Sequence, residues 1–309
     1  MIGFTDQVVI VSGAGRGLGR LYALDLARRG AAVVVNDLGG TLGGDGADQN
    51  IAEGVVDEIR KAGGTAVASY DSVSSAEGGA AIVATALDEY GRLDAVVSNA
   101  GIFHTAPFDE LSPEQWRRML SVHLDGAFHL SQPAYREMKA QRFGRFVFIA
   151  SSAGLFGQPN SAHYAAAKAG TMGLANVVAI EGEEHGILAN CVLPFGYSRM
   201  VYELIGQRDD VEPEPGFLHA IEPELVVPIV SYLASRECQV THHNFSAGAG
   251  RYARAFVGLG EGWLAESDGP TAEDISTHFE QIATSDPYTI PGSIVDEVVQ
   301  LCERLGIGL

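Results

Sequence analysis

The chain has 309 residues, a formal net charge of −19, and 46% hydrophobic against 19% charged residues. That length suits one large α/β domain or two small ones with a full apolar core, and the carboxylate surplus argues against nucleic acid or an anionic membrane surface as a partner. Cys191, Cys238 and Cys302 lie far apart without a C-x-x-C spacing and read as reduced thiols; with no stretch near membrane-span length and no basic region leading into an apolar run at the start, a cytoplasmic protein is expected.

In chain order, Gln7 to Ser12 is a short β-branched apolar run, 18–29 shows helical periodicity up to Gly30, and Ala31 to Asn36 is a second apolar run. The rhythm continues with strand-like runs at 65–70, 95–98, 145–150, 187–193 and 243–247, and helix-like segments at 49–62, 75–90, 112–141, 161–184 and 222–235. Strands such as VVIVS and AVVVN are apolar on both faces, as a sheet covered by helices on both sides requires. The expectation is an α/β doubly wound parallel sheet of Rossmann type over 1–250. Residues 251–309 read as a C-terminal helical extension: Thr271 and Asp274 form a capping-box pattern ahead of Ile275, Phe279 and Ile282, and Ser293 opens a helix stopped by Gly306. Those helices need a surface to pack on, either the sheet domain or a partner subunit.

Directly after the first strand comes Ser12-Gly13-Ala14-Gly15-Arg16-Gly17-Leu18-Gly19, then a helix. Glycines let the backbone turn sharply and approach a pyrophosphate, which the free N–H groups of the helix start would face. Asp37 ends the second strand, where a carboxylate accepts from the adenosine ribose hydroxyls and repels a 2′-phosphate. Arg16 pulls the other way, because a cation in the loop can pair with that phosphate. The carboxylate is given the greater weight, so NAD is the expected cofactor.

Ser151 and Ser152 follow the run RFVFIA, Tyr164 lies 13 residues after Ser151, and Lys168 sits four after Tyr164 on the same helix face. A nearby ammonium and an oxidised nicotinamide both favour the phenolate, so Tyr164 can act as a base with Ser151 holding the substrate oxygen. A Tyr-x-x-x-Lys alone arises by chance; behind a Ser-Ser at a strand end, in a chain with this glycine loop, it is specific. His242 and His243 lack metal-ligand spacing, and no metal is expected.

With the glycine loop, Ser98-Asn99-Ala100-Gly101, Ser151, Tyr164-Ala165-Ala166-Ala167-Lys168 and Pro194-Phe195-Gly196 in this order, the chain resembles the short-chain dehydrogenase/reductase family. That resemblance implies Asn99, Ala100, Gly101 and Pro194 beside the cofactor, Asp71 and Ser72 near the adenine, and Lys168 on the nicotinamide ribose. Where most members of the family carry Asn, this chain has His123, either a member of the catalytic proton relay or a buried structural residue. Asn36-Asp37-Leu38-Gly39-Gly40 with its glycine-rich continuation, Tyr70-Asp71-Ser72-Val73, Val122-His123-Leu124-Asp125-Gly126 and Gly292-Ser293-Ile294 are similar, more narrowly, to the (3R)-hydroxyacyl-CoA dehydrogenase part of the peroxisomal multifunctional enzymes of type 2. The implied reaction is NAD-dependent oxidation of a (3R)-3-hydroxyacyl-CoA, with a fatty or steroid side chain, by a homo-oligomer (dimer or tetramer). The alternatives are a hydroxysteroid or secondary-alcohol dehydrogenase without CoA, and a non-catalytic NAD-binding regulator.

Residues 194–223 are rich in large apolar side chains, among them Phe195, Tyr197, Met200, Tyr202, Phe217 and Leu218. A run of this kind after a strand's C-terminal end reads as a lid over an elongated apolar substrate, with packing elsewhere as the alternative. Arg199 is a candidate cation for an acyl-CoA at the pocket mouth.

Overall fold

The computed structural model describes residues 2–196, 216, 220–265 and 269–308. Contacts divide it into a unit of Met1–Arg254 and a second of Ala255–Leu309.

In the first unit eight strands form one sheet: β1 (Val8–Ser12), β2 (Ala32–Asn36), β3 (Thr65–Ser69), β4 (Ala95–Ser98), β5 (Gly144–Ile149), β6 (Ile187–Phe195), β7 (His243–Gly248) and β8 (Arg251–Ala255). Their order is β3-β2-β1-β4-β5-β6-β7-β8, and β1 to β7 pair in parallel. Register is set by burial on both faces: every residue of β1 and of β5 is buried, so a slip of one residue exchanges one apolar surface for another while misplacing the strand ends. Chain order reverses between β1 and β4, and the crevice beyond the carboxyl ends of those two strands is where a doubly wound sheet binds ligands.

The helices α1 (Gly17–Arg28), α2 (Asn50–Lys61), α3 (Ala76–Tyr90), α4 (Pro113–Leu120), α5 (Gly126–Gln141), α6 (Ala153–Phe156), α7 (Ala162–Gly182) and α8 (Val227–Ala234) cross between the strands. The single helix expected over 112–141 is two helices joined by a π-helical turn, Ser121–Asp125, whose one buried residue is His123. β8 was not expected as a strand; its sequence RYARA is largely exposed and follows a tight turn at Ala249 and Gly250, both at positive φ.

The second unit holds a short antiparallel pair, β9 (Leu259–Gly260) with β10 (Tyr288–Thr289), and the helices α9 (Ala272–Thr277), α10 (Phe279–Ile282) and α11 (Ile294–Leu305). The capping box at Thr271 and Asp274 forms as expected, and Gly306 ends α11 in the left-handed region.

Candidate active site

The carboxyl ends of β1 and β4 are knitted together. Ser12 Oγ accepts from the N–H groups of Asn99 (3.0 Å) and Ala100 (3.1 Å), and the Asn99 amide donates back to the carbonyls of Ser12 (3.0 Å) and Gly13 (3.1 Å). Asn99 thus holds the glycine loop in shape as well as facing the cavity. A Cβ at Gly13 would stand 2.8 Å from the Ala100 Cα, and one at Gly19 would stand 2.1 Å from the Gly13 carbonyl oxygen, so neither position tolerates a side chain. Gly17, at φ +52°, differs: a Cβ there meets no protein atom within 4 Å. The first turn of α1 contains no acidic residue and no side-chain cap, which leaves its N–H donors free for an anion. This donor set, with open space over Gly17, fits the pyrophosphate of a dinucleotide.

Asp37 follows β2 with its carboxylate fixed by two backbone donors, Gly15 N–H on Oδ2 and Gly39 N–H on Oδ1, each at 2.7 Å. Arg16, the residue that favoured a 2′-phosphate, donates its Nη1 to the Gly40 carbonyl at 2.9 Å. One of its donors therefore serves the protein, while Asp37 stands in the cavity wall.

Ser151 and Ser152 emerge from β5, and the alanine-rich α7 brings Tyr164 and Lys168 against that strand end, an arrangement in which short side chains let helix and sheet approach closely. Lys168 is buried, and its Nζ donates to the Ile149 carbonyl at 2.6 Å while lying 5.8 Å from the centre of the Tyr164 ring. Burial lowers its pKa to about 8, against an opposing pull from the Cys191 thiol. Burial likewise pushes the Tyr164 phenol above its ordinary value, and the hydrogen bond with Ser151 draws it partly back. In the protein alone desolvation therefore outweighs the influences that favour the phenolate.

His123 lies in the π-turn with its ring edge-on to Tyr164, centroids 5.2 Å apart. Its Nε2 sits 2.8 Å from the Ile102 carbonyl and 3.1 Å from the Ile102 N–H, and Nδ1 is buried with no hydrogen-bond partner among the described residues. Burial first, and the nearby Lys168 charge second, hold it well below the ordinary histidine range, so the ring is neutral. A glycine at 101 makes room for it, since a Cβ there would lie 2.4 Å from the His123 Cε1.

All of these groups share one cavity of about 1130 Å³. Gly13, Arg16, Gly17, Leu18, Gly19, Asp37, Ser72, Asn99, Ala100, Gly101, His123, Ser151, Tyr164, Lys168 and Pro194 line it together. Asp71 does not: it is exposed, and its contribution is a carbonyl that accepts from Asn36, while Ser72 and Val73 form that part of the wall. Sequence reasoning missed the polar residues Gln158 and Asn160 between the serines and Tyr164, Phe103 edge-on to Tyr164, and the wall formed by Leu38, Gly40, Thr41, Leu42 and Gly44. Of the expected lid, Tyr197, Met200, Tyr202, Phe217 and Leu218 lie outside the described residues, as does Arg199; Phe195 and Ile221 line the cavity.

The model of the short chain dehydrogenase family matches residues 7–202. The chain is 41% identical over 94% of its length to a short-chain type dehydrogenase/reductase of Mycobacterium tuberculosis, Rv0148, covering 99% of that protein. It is 41% identical over 98% of its length to the mouse peroxisomal multifunctional enzyme type 2, of which it spans 41%, and 39% identical over 75% of its length to the hydroxyacyl-CoA dehydrogenase ChsB1 of M. tuberculosis, of which it spans 73%. The full-length Drosophila melanogaster multifunctional enzyme type 2 superposes with a TM-score of 0.81 at 32% identity, over 99% of this chain and 50% of that one. These comparisons overturn the cytoplasmic expectation, because several relatives are named peroxisomal enzymes. Hydropathy does not separate the two compartments, since a peroxisomal address is a short receptor-read signal and needs no apolar segment.

Proposed function

The chain belongs to the short-chain dehydrogenase/reductase family and is an oxidoreductase acting on CH–OH groups; from that premise we propose that it oxidises a (3R)-3-hydroxyacyl-CoA to the 3-oxoacyl-CoA with NAD. The observation that carries this reading is the cavity in which Ser151, Tyr164 and Lys168 face the same space as the glycine loop and Asp37. When bound, NAD supplies the hydride acceptor. Ser151 orients the substrate oxygen, and Tyr164 accepts the hydroxyl proton as the hydrogen on the same carbon departs as hydride. Lys168, held by Ile149, turns its remaining donors to the ribose and its charge to the phenol. The acyl-CoA assignment draws on the relatives, one of which is named for that activity. Rates of NADH formation with (3R)-3-hydroxyacyl-CoA, its (3S) epimer, hydroxysteroids and simple secondary alcohols test it. Turnover of the steroids or alcohols in preference to the thioester would replace the substrate assignment and leave the chemistry standing.

NAD is favoured because Asp37 presents a fixed carboxylate where a 2′-phosphate would lie, and Arg16 is partly engaged by Gly40. Replacing Asp37 by Ser is expected to lower kcat/KM with NAD by about 10- to 100-fold, the worth of one hydrogen bond to a charged group, and to leave the NADP value nearly unchanged. A parallel fall with both nucleotides would mean that Asp37 acts only by shaping the loop.

His123 is read as a positioning residue. A neutral ring that meets Ile102 through Nε2 and stands edge-on to Tyr164 fixes the wall behind the phenol. His123→Ala is expected to lower kcat by about tenfold or more, as small misplacements of a reacting group do, with NADH affinity within twofold. The acidic limb of the kcat profile moves, and His123→Asn recovers most of the loss. Unchanged turnover and an unchanged profile in the Ala variant would assign His123 to the core alone.

A further inference from the structure

The chemistry above makes no use of the segment that leaves β2. Residues 38–48 are pinched shut at the base by the Asp48 N–H on the Leu38 carbonyl (3.0 Å). The tip is closed by Thr41 N–H to the Asp45 carbonyl (2.8 Å), Gly44 N–H to the Thr41 carbonyl (2.9 Å) and Asp45 N–H to the Thr41 hydroxyl (3.1 Å). Gly39 is required at the pinch: it has φ +80°, and a Cβ there would stand 2.1 Å from the Asp48 carbonyl oxygen. The loop is therefore preformed.

Its fastenings lie on the far side of the cleft. The Phe103 N–H, beyond β4, donates to the Leu42 carbonyl at 2.9 Å. Arg118 of α4 pairs with Asp45 at 2.5 Å, and Gly44 packs so closely on Ile102 that a Cβ would approach its Cγ2 to 2.7 Å. Midway, Arg16 of the glycine loop holds the Gly40 carbonyl. In the sheet, β2 and β4 flank β1, and the glycine loop is the continuation of β1. A segment that starts at β2 and is tied beyond β4 has to cross the carboxyl end of β1, and five of its residues line the same cavity as the glycines.

We propose that residues 38–48 are a strap across the dinucleotide cleft, and that the Asp45–Arg118 pair with the Leu42–Phe103 bond is its latch, which sets the rate at which the nucleotide leaves. The proposal rests on the dinucleotide reading above and adds the element that retains it. The far end of the strap is tied to Ile102 and Phe103, which touch His123 and Tyr164, so a fastened strap also steadies the wall behind the phenol.

The test is the displacement rate of NADH and of NADPH from the full chain, by stopped-flow fluorescence. It compares the unmodified protein, Asp45→Asn, Arg118→Gln, the double variant, and the charge exchange Asp45→Arg with Arg118→Asp. Both partners are substantially exposed, with side-chain accessibilities of 72% for Asp45 and 45% for Arg118, so each single variant is expected to accelerate release by about two- to fivefold, the range of an exposed ion pair. The double variant releases no faster than the faster single, because both remove the same interaction, and the charge exchange recovers slow release. Release that is unchanged in every variant while the unmodified protein binds nucleotide overturns the strap and leaves the dinucleotide reading intact. Accelerations that multiply in the double variant overturn the pairing. An unmodified protein that binds neither nucleotide overturns the dinucleotide reading, and the strap falls with it.

Discussion

Tyr164→Phe is expected to lower kcat by about 10²- to 10⁴-fold, the range of a lost general base, while the variant folds normally and binds NADH as tightly as before. The change removes one oxygen from a ring wedged edge-on between Phe103 and His123, and the ring packing survives it. What disappears is the hydroxyl that, among the described residues of the cavity, is hydrogen-bonded to Ser151 and able to take an alcohol proton. Since burial holds the phenol above its ordinary value in the protein alone, the base form has to be stabilised at the moment of reaction, when the positive nicotinamide lies nearby. A consequence is a pH dependence: kcat/KM rises as pH rises toward the phenol's titration range, and that rising limb vanishes in the Phe variant. Steady-state rates across pH, with NADH binding by fluorescence as the control, check both parts. A variant that keeps its rate would locate the chemistry elsewhere.

How much of this was legible in the sequence follows from which interactions are local. The strands VVIVS and AVVVN announce themselves because burial on both faces demands continuous apolar runs. Tyr164 and Lys168 share a face by helix geometry alone, and the glycine loop is recognisable because close backbone approach admits no other residue. The π-turn at Ser121–Asp125 was not legible, since one residue added to a helical turn barely alters the apolar periodicity of 112–141. The strap was visible only as a glycine-rich stretch. Its function depends on Leu42 meeting Phe103 and Asp45 meeting Arg118, contacts of 61 and 73 positions in sequence that no spacing rule encodes. The balance at Tyr164 was not legible for a related reason: the neighbouring charge can be counted from the sequence, whereas the desolvation that raises the phenol in the protein alone needs the packed cavity.

Lys168→Met is expected to abolish turnover and to stabilise the protein at neutral pH. Nζ is buried and its pKa lowered to about 8 from the ordinary 10.5, chiefly by desolvation. At pH below about 8 the lysine is protonated in the folded and unfolded states alike, so the full cost of burying an ammonium is present there. Between about 8 and 10.5 the unfolded chain still holds the proton while the folded protein has released it. Stability contributed by this residue therefore rises with pH through that window, and above it the cost is gone. A shift of this size corresponds to about 3 kcal/mol. Methionine has similar length and no charge, but it leaves the Ile149 carbonyl without its 2.6 Å donor, which takes back about 1 to 2 kcal/mol. The net expectation is a gain of about 1 to 2 kcal/mol at pH 6 to 7, narrowing as pH passes 8 and reversing by about pH 10, measured by urea unfolding. The catalytic loss is at least about 100-fold, because the same ammonium favours the phenolate and holds the ribose. A variant less stable than the parent at pH 6.5 would show that the Ile149 carbonyl and its surroundings solvate the charge fully, and that the position is not held against stability for the sake of the reaction. The opposite signs are what make the result informative: a residue kept for packing would lose stability when replaced, whereas one kept for its charge in a cavity that disfavours charge loses activity alone.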